Sequence, residues 1–300
     1  MTHIAETPSD FWTSRQGQTI EPSSFDELIE LLLRNGSSSF IYRGQTEFSW
    51  GLECSLSRAL RNQAIAGGPI PLDLYDSNVY DKSKNEHSRR MELRTEECFV
   101  DMAHRLRIPD LPALEDRLAW WEIMQHYGAP TRLLDWTRSP FVGMWFTNWN
   151  AATPDNDAAL FVYNRDLSSK TYHRQIRAID SSREWTVIEP RDWINQLAAS
   201  VILTGGVVPL WITPHHGIRR IAAQQSVLTL IPDVTLMSGL QEYALMKLTT
   251  RIRIRSSWRS QISRATESLG MTQLSLFQDL DSLGSAVTYT LCNDLPRPTP

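Results

Sequence analysis

The chain has 300 residues, 41% of them hydrophobic and 21% charged, with a net charge of -4. Such a chain can bury a substantial core in one large or two small domains, and its weak negative charge argues against a protein coated in basic residues for duplex binding. Apolar runs such as residues 205–212 stop far short of the roughly 18–20 residues of a membrane span, and the start MTHIAETPSDFW lacks the regions of a secretory leader, so a cytoplasmic chain without membrane contact is expected.

Cys54, Cys98 and Cys292 are odd in number and widely spaced, which is neither a disulfide framework nor a zinc site. Lysine occurs only at Lys82, Lys84, Lys170 and Lys247, so 26 of the 30 basic residues are arginine. Guanidinium is the better group for bidentate contacts to carboxylate or phosphate and for stacking on aromatic rings.

Along the chain, Ser24 and Glu27 form a capping box before Leu28, Leu31 and Leu32, which predicts a helix that ends at Asn35-Gly36. The stretch SSFIYRGQ alternates as a strand, with Phe40 and Tyr42 on one face and Ile41, Arg43 and Gln45 on the other. A helix over 55–66 follows, then a loop over 67–84. Residues 86–107 read as an amphipathic helix whose inner face is Met91, Cys98, Met102 and Leu106. The helix from Pro112 to Tyr127 ends at Gly128, and a strand runs from Thr131 to Thr137. Ser139 and Pro140 supply a cap and a first-turn proline for the next helix. Strands are expected over 159–163, 207–212, 227–231 and 246–254, and a last helix over 256–269. No repeat and no linker divides the chain, so the expectation is a single α+β domain with a central mixed or antiparallel sheet flanked by several helices.

The segment from Gln125 to Phe146, QHYGAPTRLLDWTRSPFVGMWF, is the most informative part. His126, Arg132, Asp135, Thr137 and Ser139 are embedded among Leu133, Leu134, Trp136, Phe141, Met144 and Trp145. A charge removed from water needs a partner or a ligand, so the segment is either a paired core network or a site. Arg43 paired with Asp135 in the core, Ser139 as a simple helix cap, and Tyr127 and Trp136 as core aromatics are the structural alternatives. His215-His216 reads as a solvated pair rather than a metal site, no metal motif is present, and RIRIRSSWRS is either a phosphate-tracking edge or a solvated strand face.

Tyr42-Arg43-Gly44-Gln45, Trp50, Ser55-Leu56 and Arg58, followed by QHYGAPTRLLDWTRSP, resemble the FRG domain family, and Arg220-Ile221-Ala222-Ala223-Gln224-Gln225 and the stretch from Leu269 to Asp281 resemble its later elements. Ser226 and Leu228 depart from that pattern. The resemblance implies an FRG domain over 23–291, with an extension over 1–22 and a tail over 292–300, in bacterial, phage-related or defence-associated settings. The order of elements is in turn similar to that of ADP-ribosyltransferases, which implies NAD as co-substrate and a toxin or anti-phage effector with a protein or nucleic-acid acceptor and an antitoxin or defence-system partner. On that resemblance Arg43 grips the pyrophosphate and Thr137 and Ser139 hold the ribose. Arg43, His126, Asp135 and Gln224 form the catalytic set, and Tyr42, Gly44, Gln45, Arg58, Tyr127, Arg132, Trp136 and Arg220 complete the binding surface. In those enzymes a third strand carries the late glutamate, and Gln224-Gln225-Ser226-Val227-Leu228 occupies that slot, with glutamines where the glutamate belongs. The alternative is a module that binds a nucleotide or nucleic acid without chemistry.

Overall fold

In the computed structural model, the residues described are 11–12, 14–34, 39–66, 82–151, 153–164, 192, 195, 210–212, 214, 219–231, 247–279 and 282–284. Among them, seven strands form one sheet: β1 (Thr19–Ile20), β2 (Phe40–Gln45), β3 (Leu133–Thr137), β4 (Ala158–Asn164), β5 (Leu210–Ile212), β6 (Ser226–Leu230) and β7 (Thr249–Ile254). Their spatial order is β1-β7-β4-β2-β3-β6-β5, with β1 parallel to β7 and every other pairing antiparallel. The helices are α1 (Phe25–Leu33), α2 (Ser55–Ala66), α3 (Lys82–Arg105), α4 (Arg117–His126), α5 (Pro140–Phe146), α6 (Arg219–Ala223), α7 (Arg259–Ser268) and α8 (Gln273–Phe277).

Helices cover both faces of the sheet, so its interior strand β4 is buried along its whole length and reads as a continuous apolar run rather than an alternating one. Ile41, Phe161, Tyr163, Leu134 and Trp136 pack on one face against Leu118, Trp121 and Met124 of α4. Phe40, Tyr42, Leu160, Val162, Ile252 and Ile254 pack on the other against α1, Met144 of α5 and Ile262 of α7. The alternation expected of β2 therefore places its residues on the expected faces.

Two glycines let α5 lie directly on β2. A Cβ on Gly44 would sit 2.1 Å from the Gly143 carbonyl oxygen, and one on Gly143 would sit 2.8 Å from the Tyr42 Cβ. Both obstacles are part of packed elements, so Gly44→Ala is expected to push α5 off the sheet and to cost about 1–3 kcal/mol, as overpacking does. A lowered midpoint in urea denaturation checks this.

Several expectations need correction. Met91 packs inward as expected, but the rest of the inner face of α3 is formed by Glu92, Phe99 and Ala103, while Cys98, Met102 and Leu106 are exposed, because Arg132 and Arg117 neutralise Glu92 and Glu96 on that face. The fourth helix begins at Arg117, capped by Asp116, whose side chain accepts from the Ala119 N–H; Leu114 lies outside it and is exposed. Gln224 and Gln225 form a turn after α6 rather than a strand, with Gln225 in the left-handed region (φ 49°). Residues 67–81, His215-His216 and Cys292 lie outside the described residues.

Candidate binding cleft

The cleft arises from the way β2 and β3 meet. β2 pairs with β4 over six residues and β3 with β6 over five, yet β2 and β3 share only the Tyr42–Thr137 register pair. Beyond that pair the two central strands separate, and a cleft of about 640 Å³ opens there, within the ~300–1,000 Å³ of small-molecule sites.

Arg43 spans the gap. One guanidinium nitrogen, Nη1, donates to the Asp135 carbonyl oxygen at 2.8 Å, while Nε is sealed from solvent and meets no protein acceptor. The contact is to backbone, so the Asp135 carboxylate stays exposed rather than being consumed in a core bridge. Burial pushes the Arg43 guanidinium down to about 10; Asp135 opposes that shift and Arg58 adds to it. Arg43 is thus still cationic at neutral pH.

Arg58, from α2, is fixed by donating to the Glu53 carbonyl oxygen at 2.8 Å. Arg220, from α6, lies 4.3 Å from the centre of the Phe277 ring, a cation–π geometry. Burial lowers the Arg220 pKa while Asp135 and Asp279 oppose it. Arg43, Arg58 and Arg220 all line the same cleft.

Neutral donors join them. Trp149 Nε1 and Gln224 Nε2 are buried and meet no protein acceptor, and both residues line the cleft. An unmet buried donor costs about 1–3 kcal/mol, and here three of them, with Arg43 Nε, surround one hollow. Trp149 is held by Trp145, stacked at 5.8 Å, and by Phe277 at 4.7 Å. Gln45 Nε2 donates to the Gly51 carbonyl at 3.0 Å and ties down the loop carrying Trp50, whose ring is largely exposed at the cleft.

The other residues expected at the site divide. Tyr42, Gly44, Gln45, Asp135, Trp136 and Thr137 line the cleft. The Thr137 hydroxyl donates to the Gln224 carbonyl at 2.6 Å and accepts from the Ser139 N–H, so it fastens Gln224 to β3 instead of facing a ligand unencumbered. Trp136 gives its indole N–H to the Thr229 hydroxyl. Ser139 caps α5 by accepting from the Val142 N–H and is not at the cleft. Arg132 is buried in a pair with Glu92, which corrects its expected contact with a ligand. Tyr127 is 69% exposed and away from the cleft, because Gly128, at φ 79°, turns the chain there.

A second, smaller hollow of about 40 Å³ adjoins the first. His126, Glu122 and Ile221 line it, and Asp135, Arg220 and Gln224 belong to both hollows. His126 is half-buried; burial and then Arg220 lower its pKa, with Asp279 opposing. Trp50, Glu53, Phe146, Trp149 and Phe277 were not among the expected site residues. The aromatic spacing of Trp145, Phe146 and Trp149 was the available signal.

The arginine-rich run on β7 serves structure. Arg251 and Arg253 stack on Phe48 at 4.0 and 3.9 Å, and Arg253 also pairs with Glu21 and Asp157. Among the described residues no cluster of His, Cys, Asp and Glu could hold a metal ion, and no helix is long and apolar enough to cross a membrane.

The fold and cleft define an α+β protein with one mixed sheet and a cationic, donor-lined hollow at the parting of its central strands. Residues 38–156 match the sequence model of the FRG domain, so this span of the chain is an FRG domain, with β2, α2, α3, α4, β3 and α5 inside it. Arg220 and Gln224 reach the cleft from outside it. No curated protein and no solved structure matches the chain.

Proposed function

We propose that the cleft binds NAD and that the chain is an ADP-ribosyltransferase-like enzyme acting as a toxin or anti-phage effector. The observation that carries this reading is the convergence of three guanidinium groups and three unmet N–H donors on a hollow of nucleotide size. Arginine forks and fixed N–H donors suit a pyrophosphate, and the exposed Trp50 ring offers a base a stacking surface.

Arg43, presented from a strand, is already oriented by the Asp135 carbonyl before any ligand enters. Cleavage of the nicotinamide glycosidic bond sends its electron pair to the nicotinamide nitrogen and leaves positive charge on the ribose carbon. Asp135 and Glu53 are the carboxylates lining the cleft. Asp135 has the exposed carboxylate, and it is assigned the task of stabilising that charge. The Thr137 hydroxyl fastens the Gln224 backbone carbonyl to β3, and the unmet Gln224 side-chain amide is assigned to the ribose hydroxyls. Ser139 has no part in this scheme.

The test is incubation of the purified chain with NAD and quantification of released nicotinamide. Asp135→Asn is expected to keep NAD binding and to lower turnover about 100-fold, the loss typical of one electrostatic stabiliser. No release from the wild-type chain overturns the enzyme reading. A second reading, a binding module without chemistry, is favoured by an amide standing where a late carboxylate belongs. It predicts stabilisation by NAD and ADP-ribose, about 2.7 kcal/mol at 100 times Kd, with the NAD recovered intact.

A further inference from the structure

We infer that the smaller hollow beside the cleft is the acceptor pocket, and that it takes a neutral hydroxyl, from water or an alcohol, with His126 as the general base. The inference rests on the NAD-transfer reading of the larger cleft. Its geometry is that of an annex: Asp135, Arg220 and Gln224 form a wall common to both spaces, so a group lodged beside His126 is separated from the cleft by a wall that includes both residues assigned to the ribose, Asp135 and Gln224.

Size defines what fits. About 40 Å³ holds a water molecule or a hydroxymethyl group, since one water needs roughly 10–15 Å³ by the same kind of measure. The lining carries both signs of charge, Glu122 and Asp135 beside Arg220, so it is the small size that selects the acceptor, and a hydroxyl there needs a base to take its proton.

His126 ends α4 and opens onto this hollow. The charged groups that face it are Glu122 on its own helix, Asp135 on β3, Arg220 on α6 and Asp279 after α8. Burial and Arg220 together favour the neutral imidazole, the form able to accept a proton. In the step, the C1′–N bond of NAD breaks with its electron pair passing to nicotinamide. The hydroxyl oxygen forms the new bond to C1′, and its proton goes to the His126 imidazole and from there to water.

The experiment follows products from NAD in buffer with and without methanol. Wild-type chain is expected to give nicotinamide with ADP-ribose, and in methanol also the O-methyl glycoside, resolved by mass spectrometry. His126→Gln should lower kcat about 100-fold, the usual contribution of a general base, with KM little changed and the acid limb of the pH profile lost. Because His126 must be neutral, that limb falls below the range of an exposed histidine. Ile221→Ala, which widens the pocket without touching the base, should raise the ratio of methyl glycoside to ADP-ribose. Nicotinamide release that is unaltered in His126→Gln overturns the acceptor pocket while leaving the NAD reading in place, as does preferential modification of agmatine over methanol. No release from the wild-type chain removes the NAD reading itself, and the pocket with it.

Discussion

Replacing Glu92 with alanine should destabilise the fold by about 3–5 kcal/mol, the cost of leaving a buried charge without its partner. Glu92 and Arg132 have side chains only 6% and 7% exposed, and the pair is bidentate: Arg132 Nε donates to Oε1 at 2.6 Å and Nη2 to Oε2. The same guanidinium donates from Nη1 to the Ile231 carbonyl at 3.3 Å and lies 5.4 Å from the Trp121 ring. It therefore joins α3, the start of β3, the end of β6 and α4. With Glu92 gone, Arg132 cannot move to water without releasing all of these. The paired replacement Glu92→Leu with Arg132→Met should recover most of the loss, because apolar groups of similar volume commonly equal or exceed a buried ion pair in stability. Urea denaturation of the two variants reads both effects. A loss under about 1 kcal/mol for Glu92→Ala, the range of solvent-exposed pairs, would show that the pair does not dock α3.

That pair also explains where sequence reasoning went wrong. Apolar periodicity placed Met102 and Leu106 inward, whereas the helix presents Glu92, Glu96, Phe99 and Ala103 to the protein. Carboxylates sit on a buried face only because Arg132 and Arg117, distant in sequence, meet them. Hydropathy has no access to such a pairing. Elements with local causes were legible: the Ser24 cap, the alternation of Phe40–Gln45, and the Ser139-Pro140 start of α5. Of the cleft, Arg43 and Asp135 were legible because a polar group among apolar neighbours demands an account, and Arg58, Arg220 and Gln224 through the resemblance to the FRG family; all five line the cleft. Ser139 satisfied the same criterion through its cap, and Arg132 through Glu92 and the Ile231 carbonyl. Trp149 and Phe277 were not assigned to the site, since the aromatic spacing around Trp149 and the family likeness around Phe277 do not announce that the α5 segment packs against α8.

Arg43→Ala is expected to have the largest effect on ligand binding of any substitution in the cleft, weakening ADP and NAD alike by about 2–5 kcal/mol, or roughly 30- to several-thousand-fold in Kd. The reason is preorganisation. Burial already disfavours the Arg43 charge, pushing it down to about 10, and its Nε has no protein acceptor. The fold thus holds a cation in a place that an anionic oxygen would relieve. Binding an anion supplies both the opposite charge and the missing acceptor without any further ordering of the side chain. Lysine cannot substitute, because a single ammonium cannot reach the Asp135 carbonyl and present a second donor to the ligand at once, so Arg43→Lys should recover little of the affinity. The pH dependence has a definite sign. A ligand phosphate prefers the protonated guanidinium, so affinity should hold steady from neutral pH upward and fall as pH rises through about 10, and this decline should be absent in Arg43→Ala. Isothermal titration with ADP across that range separates the two chains. Equal affinity in wild type and Arg43→Ala would mean that the guanidinium serves only to hold the Asp135 carbonyl, and the cleft would then lose its anchor for a pyrophosphate.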